Sequence, residues 1–408
     1  MSVAGGRELN LKLGKKVSVA VEGGKAPYTY QLVSGKSSIT PDGEFTPASS
    51  GSNLIRVADN EQNRLDFTIN VKQPTAYVVA QGEIDMYRVD TDTGGIAPLD
   101  VPRISYGAGA RQIVFHPSGE FAYVPCPWGS DTIMQYSVDS VTGALSPLSP
   151  ASFAQATGSV PLAMAIHPNG GSAYVANYSA NSISQYLIDP QTGLLSAHST
   201  ASIATGSTQA EGVALNASGT LLFASNYAGK MSLYGVDSAQ AGLSPLSPAT
   251  FTTGGGPVTG VFSKAMNFFY IPNNGVSRIT MTQVDPTTGI PSLLSPAQIS
   301  LSGQPNALIL HPNKEFAYAG LANGSIEMLA VNPVSGQLTL LTPSVIASGF
   351  STINSIALDP TGNFLFAVHY TESRITGYRV DQVTGQLTQL PELTQVTGPN
   401  PQGVYITP

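Results

Sequence analysis

One glycine recurs down this chain at Gly94, Gly143, Gly193, Gly242, Gly289, Gly336 and Gly385, with successive separations of 49, 50, 49, 47, 47 and 49 residues. Each follows one short strand-like segment and precedes another, so seven copies of one unit occupy the chain from Thr75 onward. A unit of this length, holding several strands, cannot bury both faces of its sheet alone. Stacking such units around a ring buries them all. The expected fold class is therefore all-β, with a seven-bladed β-propeller as its main body.

Each unit divides into four strands. The first is an apolar run ending in a turn, as in RQIVFHPSG, LAMAIHPNG and SIALDPTG; the second carries an aromatic at one phase, Tyr77, Tyr123, Tyr174, Phe223, Tyr270, Tyr318 and Phe366. The third reads IMQYSVD or ISQYLID, and in most copies a turn of the form Asp-x-x-Thr-Gly leads to a Leu-rich fourth such as ALSPLS. Alternating apolar positions in the middle strands suit sheets stacked face to face. The first unit starts at TAYVVA and lacks an opening strand, while the chain ends in PQGVYITP, an opening strand with nothing after it. Pairing the two would close the ring with the C-terminal strand and leave no open edge.

Residues 1–73 do not carry the repeat. Short alternating segments such as KVSVAVEG, YTYQLVSG, NLIRVADN and LDFTINV, separated by Gly-, Pro- and Asn-rich turns, predict a small antiparallel sandwich. The stretches APYTYQLVSG and TPDGEFTPASSGSNLIRVAD resemble bacterial immunoglobulin-like modules, which implies a spacer. Two domains are expected: an immunoglobulin-like β-sandwich over residues 1–73 and the propeller over residues 74–408.

Composition excludes several functions. Charged residues make up 11% of the chain and the net charge is −7, against roughly 25% charged residues in ordinary soluble domains. No basic stripe exists for a phosphate backbone, which excludes nucleic acid as a partner. A single cysteine, Cys126, excludes an intrachain disulfide and any multi-cysteine metal site. No run of 18 apolar residues is present, so no membrane span is expected. The opening MSVAGGRELN lacks the basic and apolar regions of a signal peptide. The low-charge, Thr-, Ser- and Gly-rich composition nonetheless points to an extracytoplasmic protein, whether periplasmic, secreted or at the cell surface. A monomer without cofactor is expected.

The segments YVANYSANSISQYLIDPQTGLLS and FHPSGEFAYV resemble the seven-bladed lactonase family, of the 6-phosphogluconolactonase and carboxymuconate lactonizing enzyme type, and the YVTN-type repeats of microbial surface-layer proteins. The resemblance covers about Thr75 to Pro408. It implies a site at one mouth of the central channel, where first strands begin and second strands end. Where it implies Gly-Pro-Arg-His, this chain has GAGARQIVFHP, keeping Arg111 and placing Gln112 at the histidine; where it implies Asn-Glu, Pro125 and Cys126 stand. The first-strand starts would contribute Arg111, Gln112, Glu211, Gln304, Asn306, Asn354 and Gln402. The second-strand ends would contribute Asn177, Tyr178, Asn226, Tyr227, Asn273, Asn274, His369 and Tyr370.

Amides and phenols in a ring hydrogen-bond neutral polyols or carbonyls but move few protons near neutral pH. The leading expectation is thus a recognition module for a carbohydrate or protein ligand at the channel mouth. One alternative is hydrolysis of a small sugar lactone, with Arg111 stabilising an oxyanion and Glu211 tuning His369 as general base; another is a structural surface-layer component. Trp128, on the stiff loop VPCPWGSD, either stacks on a sugar or covers its blade. No metal site is expected. His116, His167 and His311 recur at one phase and suit turn capping, and Asp90-Thr-Asp92-Thr-Gly94 matches the hairpin turns of the other copies. Cys126 has no activating neighbour and is not expected to be a nucleophile.

Overall fold

The computed structural model describes residues 1–3, 8–12, 16–48, 51–107, 109–154, 159–237, 241–264 and 267–407. Among them strands dominate; the helical content is one 3-10 turn, Asn274–Val276. None of the helices is long and apolar enough to cross a membrane.

Seven four-stranded antiparallel sheets follow the seven repeats; we call them blades 1 to 7. Blade 3 shows the pattern, with Pro161–Ile166, Ser172–Asn177, Ser182–Ile188 and Leu195–Ala204 side by side in chain order. Blade 1 is assembled differently. Thr75–Ala80 pairs on one side with Glu83–Val89 and on the other with Gly403–Thr407, in the register Thr75↔Thr407 to Val79↔Gly403. Second strands are the most deeply buried: Thr75–Ala80, Phe121–Cys126, Ser172–Asn177, Phe268–Asn273 and Phe364–His369 are buried at every residue. In all seven blades a β-bulge interrupts the pairing of third and fourth strands, at one phase in blades 1 to 6, from Asp85/Tyr87 to Glu327/Leu329, and one residue earlier in blade 7, at Ile375/Gly377. A bulge increases local twist, as wedge-shaped packing requires.

The recurring residues join one blade to the next. Tyr77, Tyr123, Tyr270 and Tyr318 each donate a phenolic hydrogen bond to the turn-glycine carbonyl of the following blade, at Gly143, Gly193, Gly336 and Gly385, over 2.6–2.9 Å. Tyr174 does the same to Ala241. The His-Pro histidines cap their own turns, His311 Nδ1 accepting from the N–H groups of Asn313 and Lys314 at 3.0 Å. Their other nitrogen adds a bond that the sequence did not suggest: Nε2 of His116, His167 and His311 donates to the carbonyls of Gly170, Gly219 and Gly362 in the next blade. Asp90 Oδ1 accepts from the N–H groups of Asp92 and Thr93, the turn geometry that Asp139, Asp189, Asp285, Asn332 and Asp381 repeat. The Asp92 carboxylate is held by Lys36.

Replacing Tyr270 by Phe should cost about 1–2 kcal/mol, because the buried Gly336 carbonyl loses its partner, and Phe already occupies this phase at Phe223 and Phe366 without steric difficulty. Denaturant unfolding at neutral pH measures the loss.

Residues 1–72 have a core of their own. Glu8–Lys12, Arg64–Lys72, Gly51–Ala58 and Thr29–Ser34 form one sheet, with Glu8–Lys12 parallel to Arg64–Lys72; Val17–Ser18, Glu44–Thr46 and Ser38–Ile39 form another. Phe45 from the second sheet packs with Ile55, Val57, Phe67 and Ile69 from the first, all nearly inaccessible.

Candidate functional site

The site is built on the position twelve residues before the core aromatic of each repeat. In blades 2 to 7 that position holds Arg111, Leu162, Glu211, Val258, Asn306 and Asn354; in blade 1, whose opening strand comes from the C-terminus, the equivalent is Gln402. All seven line one central cavity of about 230 Å³. In four blades the reason is a bulge in the first strand. Leu162, Glu211, Asn306 and Asn354 each lie unpaired between two paired neighbours, as in Ala210↔Asn226 and Gly212↔Ser225. A bulge frees one residue from the ladder and re-aims its side chain, here into the channel.

Two charges meet in this ring. Arg111 Nη1 donates to Glu211 Oε1 at 2.5 Å, across a sequence separation of 100 residues, with the Glu211 side chain 10% exposed and Arg111 39%. Among the described residues Glu211 Oε2 has no hydrogen-bond partner. Around the pair the ring is neutral. Asn274 donates to Asn306 Oδ1 at 2.6 Å, Asn306 donates to the Ile353 carbonyl, Asn354 donates to Gln402 Oε1, and the Tyr227 hydroxyl donates to Asn274 Oδ1. Gln112 lines the cavity while its Oε1 accepts from the Met164 N–H at 2.8 Å. Gln304, two residues before the channel position, is exposed and absent from the lining.

A second cavity, of about 410 Å³, lies outward of the pair. Arg111 and Glu211 share it with Trp128, Leu162, Tyr178 and Tyr227. Burial and the neighbouring Glu211 carboxylate raise the Tyr178 phenol above its usual pKa against the opposing effect of Arg111, so it stays protonated. Gln209 donates to its oxygen at 2.7 Å. Tyr227 and Tyr370 are each 37% exposed and Trp128 46%.

The second-strand ends differ from expectation. Asn177, Asn226, Asn273 and His369 are turned into the blades and at most 1% exposed, while the residues after them, Tyr178, Tyr227, Asn274 and Tyr370, take the mouth. Successive strand residues face opposite ways, so only one of each pair can face the channel. Each inward residue meets a hydroxyl on the third strand: Asn177 with Ser184, Asn226 with Ser232, Asn273 with Thr280. His369 fills the same slot. Its Nδ1 donates to the Ser351 carbonyl at 3.1 Å, and Nε2 lies 3.0 Å from Thr376 Oγ1, which donates to it. No hydrogen bond or ion pair links it to Glu211 or Arg111. Burial, the main cause, lowers its pKa, so the ring stays neutral. The blade 2 counterpart is Cys126, fully buried, its thiol pushed up to about 12 by burial.

Leu162 and Val258 are the apolar members of the seven equivalent positions, which a search for polar groups passes over, and their phase relative to Tyr174 and Tyr270 is the signal that finds them.

A pH effect follows from two of the buried histidines. His311 and His369 both have folded pKa values below the 6.5 of an exposed histidine, because burial penalises the imidazolium. The unfolded chain therefore binds their protons first. Their contribution to stability should be complete above pH 6.5 and decline as pH falls from there through the folded values, by up to about 1.4 kcal/mol per pH unit per histidine. Unfolding midpoints between pH 8 and pH 5 measure this, and His311→Asn should flatten the slope, since Asn216 serves at the same phase.

With the geometry established, comparison with known proteins places the chain. Residues 69–231 and 227–404 match the family model described as Lactonase, 7-bladed beta-propeller. A Bacteroides fragilis protein named as a candidate 6-phosphogluconolactonase superposes with a TM-score of 0.72 at 18% identity, covering 83% of this chain and 98% of its own. The Pseudomonas aeruginosa periplasmic gluconolactonase does so with 0.70 at 18% identity, covering 83% and 99%. No curated protein matches the sequence. At such identities the solved structures speak for the fold. The family assignment rests on the match running from residue 69 to 404: the chain belongs to the seven-bladed β-propeller Lactonase family.

Proposed function

We propose that the protein hydrolyses a small sugar lactone at the Arg111–Glu211 pair. The observation that carries this reading is the setting of that pair: one carboxylate and one guanidinium, 2.5 Å apart, in a channel cavity whose other side chains are neutral. Family membership supports it, as do neighbours named for lactones. Lactone opening needs a group to take a proton from water and a cation to receive the charge that develops on the carbonyl oxygen. Glu211 Oε2 takes the proton as the water oxygen attacks the carbonyl carbon. Arg111, with donors beyond the one engaged by Glu211, stabilises the resulting alkoxide. Collapse of the tetrahedral intermediate breaks the bond to the ring oxygen, which recovers the proton from Glu211, and the product is the open hydroxy acid. His369 takes no part in this scheme.

The hydrogen-bonded amides of Asn274, Asn306, Asn354 and Gln402 favour a second reading, recognition of a carbohydrate without turnover. Under either reading residues 1–73 act as an immunoglobulin-like spacer, Gly403–Thr407 closes the ring, and the protein works outside the cytoplasm, as the periplasmic neighbour does. Acid release from five- and six-membered aldonolactones, followed at constant pH against the spontaneous rate, tests the main proposal. Acceleration of at least one is expected; no acceleration of any would leave the recognition reading in its place.

A further inference from the structure

Beside the channel lies a larger cavity, of about 460 Å³, lined in part by Trp128. It falls within the ~300–1,000 Å³ typical of small-ligand sites, whereas the channel cavity at about 230 Å³ lies below that range. Its walls are two exposed aromatics, Trp128 and Tyr370, with amides at Gln81 and Gln402 and backbone at Gly82 and Gly109. Among the described residues no Lys, Arg, Asp or Glu lines it. Gly109 and Trp128 form an isolated bridge, the Gly109 N–H donating to the Trp128 carbonyl at 3.0 Å. A Cβ at Gly109 would lie 2.8 Å from the indole, so only glycine lets the ring pack against this backbone. The indole is thus held in place, without being buried.

The two regions adjoin. Trp128 lines both this cavity and the one holding Arg111 and Glu211, and Gln402 lines both this cavity and the channel. Aromatic faces accept the C–H faces of sugar rings, and neutral amides bond hydroxyls in both directions. A phosphate would need a cation, and among the described residues Arg111 is the single Lys or Arg lining these three cavities, already paired with Glu211.

Resting on the lactonase reading above, we infer that the Trp128–Tyr370 cavity is a glycosyl subsite, and that the substrate is an unphosphorylated aldonolactone carrying a further neutral sugar ring. The lactone opens at Arg111–Glu211 as already written, the second ring lies against Trp128, and the glycosidic bond between them stays intact.

Trp128 is the one tryptophan of the chain, so intrinsic fluorescence on selective excitation reports the surroundings of that indole alone. Titration of the full chain with cellobiose, lactose and maltose should give a saturable change with at least one of them. In parallel, kcat/KM for cellobiono- or lactobionolactone should exceed that for gluconolactone by about tenfold. Trp128→Ala should abolish that preference, Trp128→Phe should retain it, and 6-phosphogluconolactone should be no better than gluconolactone. Unchanged fluorescence with equal kcat/KM for the mono- and disaccharide lactones would overturn the inference and leave the lactonase reading standing. A saturable fluorescence change without turnover of any lactone would support the glycosyl subsite and remove the lactonase reading.

Discussion

Glu211→Gln is expected to lower the rate of lactone opening by about 10²–10⁴-fold, the range a positioned general base supplies. The exchange tests chemistry without disturbing shape. Glutamine keeps an oxygen that can accept from Arg111 Nη1, where Glu211 Oε1 now lies at 2.5 Å, and it adds no volume to a side chain that is 10% exposed. It cannot take a proton from water. The loss should fall on kcat, with the melting temperature close to that of the parent, and both are measured on one preparation. His369→Asn provides the contrast. Asn already serves this slot at Asn177, Asn226 and Asn273, each with a third-strand hydroxyl as partner, so turnover should stay within about threefold of the parent, well short of the loss that follows removal of a general base. A large loss there, with Glu211→Gln silent, would move the proton transfer to the histidine.

The second large effect concerns the chain end. Removing residues 403–408 should leave the propeller unable to hold its native structure at 37 °C. Gly403–Thr407 forms the channel-side partner of Thr75–Ala80, a strand buried at every residue. Val404, 1% exposed, packs with Phe366 and Val368 of blade 7 as well as Val78 of blade 1. Truncation would expose a row of unpaired backbone groups in a formerly covered strand and give up about 1.5–3 kcal/mol for Val404 alone. Against a total stability of about 5–15 kcal/mol, the combined loss is large. Thermal unfolding and limited proteolysis of the truncated chain would show it; a truncated protein with the parent's midpoint would mean that the ring does not depend on this strand.

Much of the architecture could be read from local chemistry. The turn glycines and the Asp or Asn four residues before them act over a few bonds, and the structure shows the same bonds at Asp139, Asp189, Asp285, Asn332 and Asp381. The aromatic phase was equally visible, though not its purpose, since the partner of Tyr77 lies 66 residues away at Gly143. The His-Pro turns were half legible: the cap is local, while the bond to the next blade is not. Polar character misled at the second-strand ends, where Asn177, Asn226 and His369 suggested a ligand surface and instead satisfy hydroxyls inside the blades. A strand side chain faces the channel or the interior according to a single step of register, which composition does not encode.

By itself the sequence determined the number of repeats, the strands within them, the chemistry of their turns and the neutral, amide-rich character of the mouth, because each depends on residues close together in the chain. Tertiary structure alone decided which of those residues meet. Arg111 and Glu211 come from repeats 100 residues apart and become partners only when the blades stack around a common axis, with a bulge turning Glu211 toward it. Trp128 is set beside Tyr370 by the same closure, which brings blade 7 round to blades 1 and 2. Contacts of this kind depend on where the ring returns, and no stretch of sequence short enough to fold on its own contains that information.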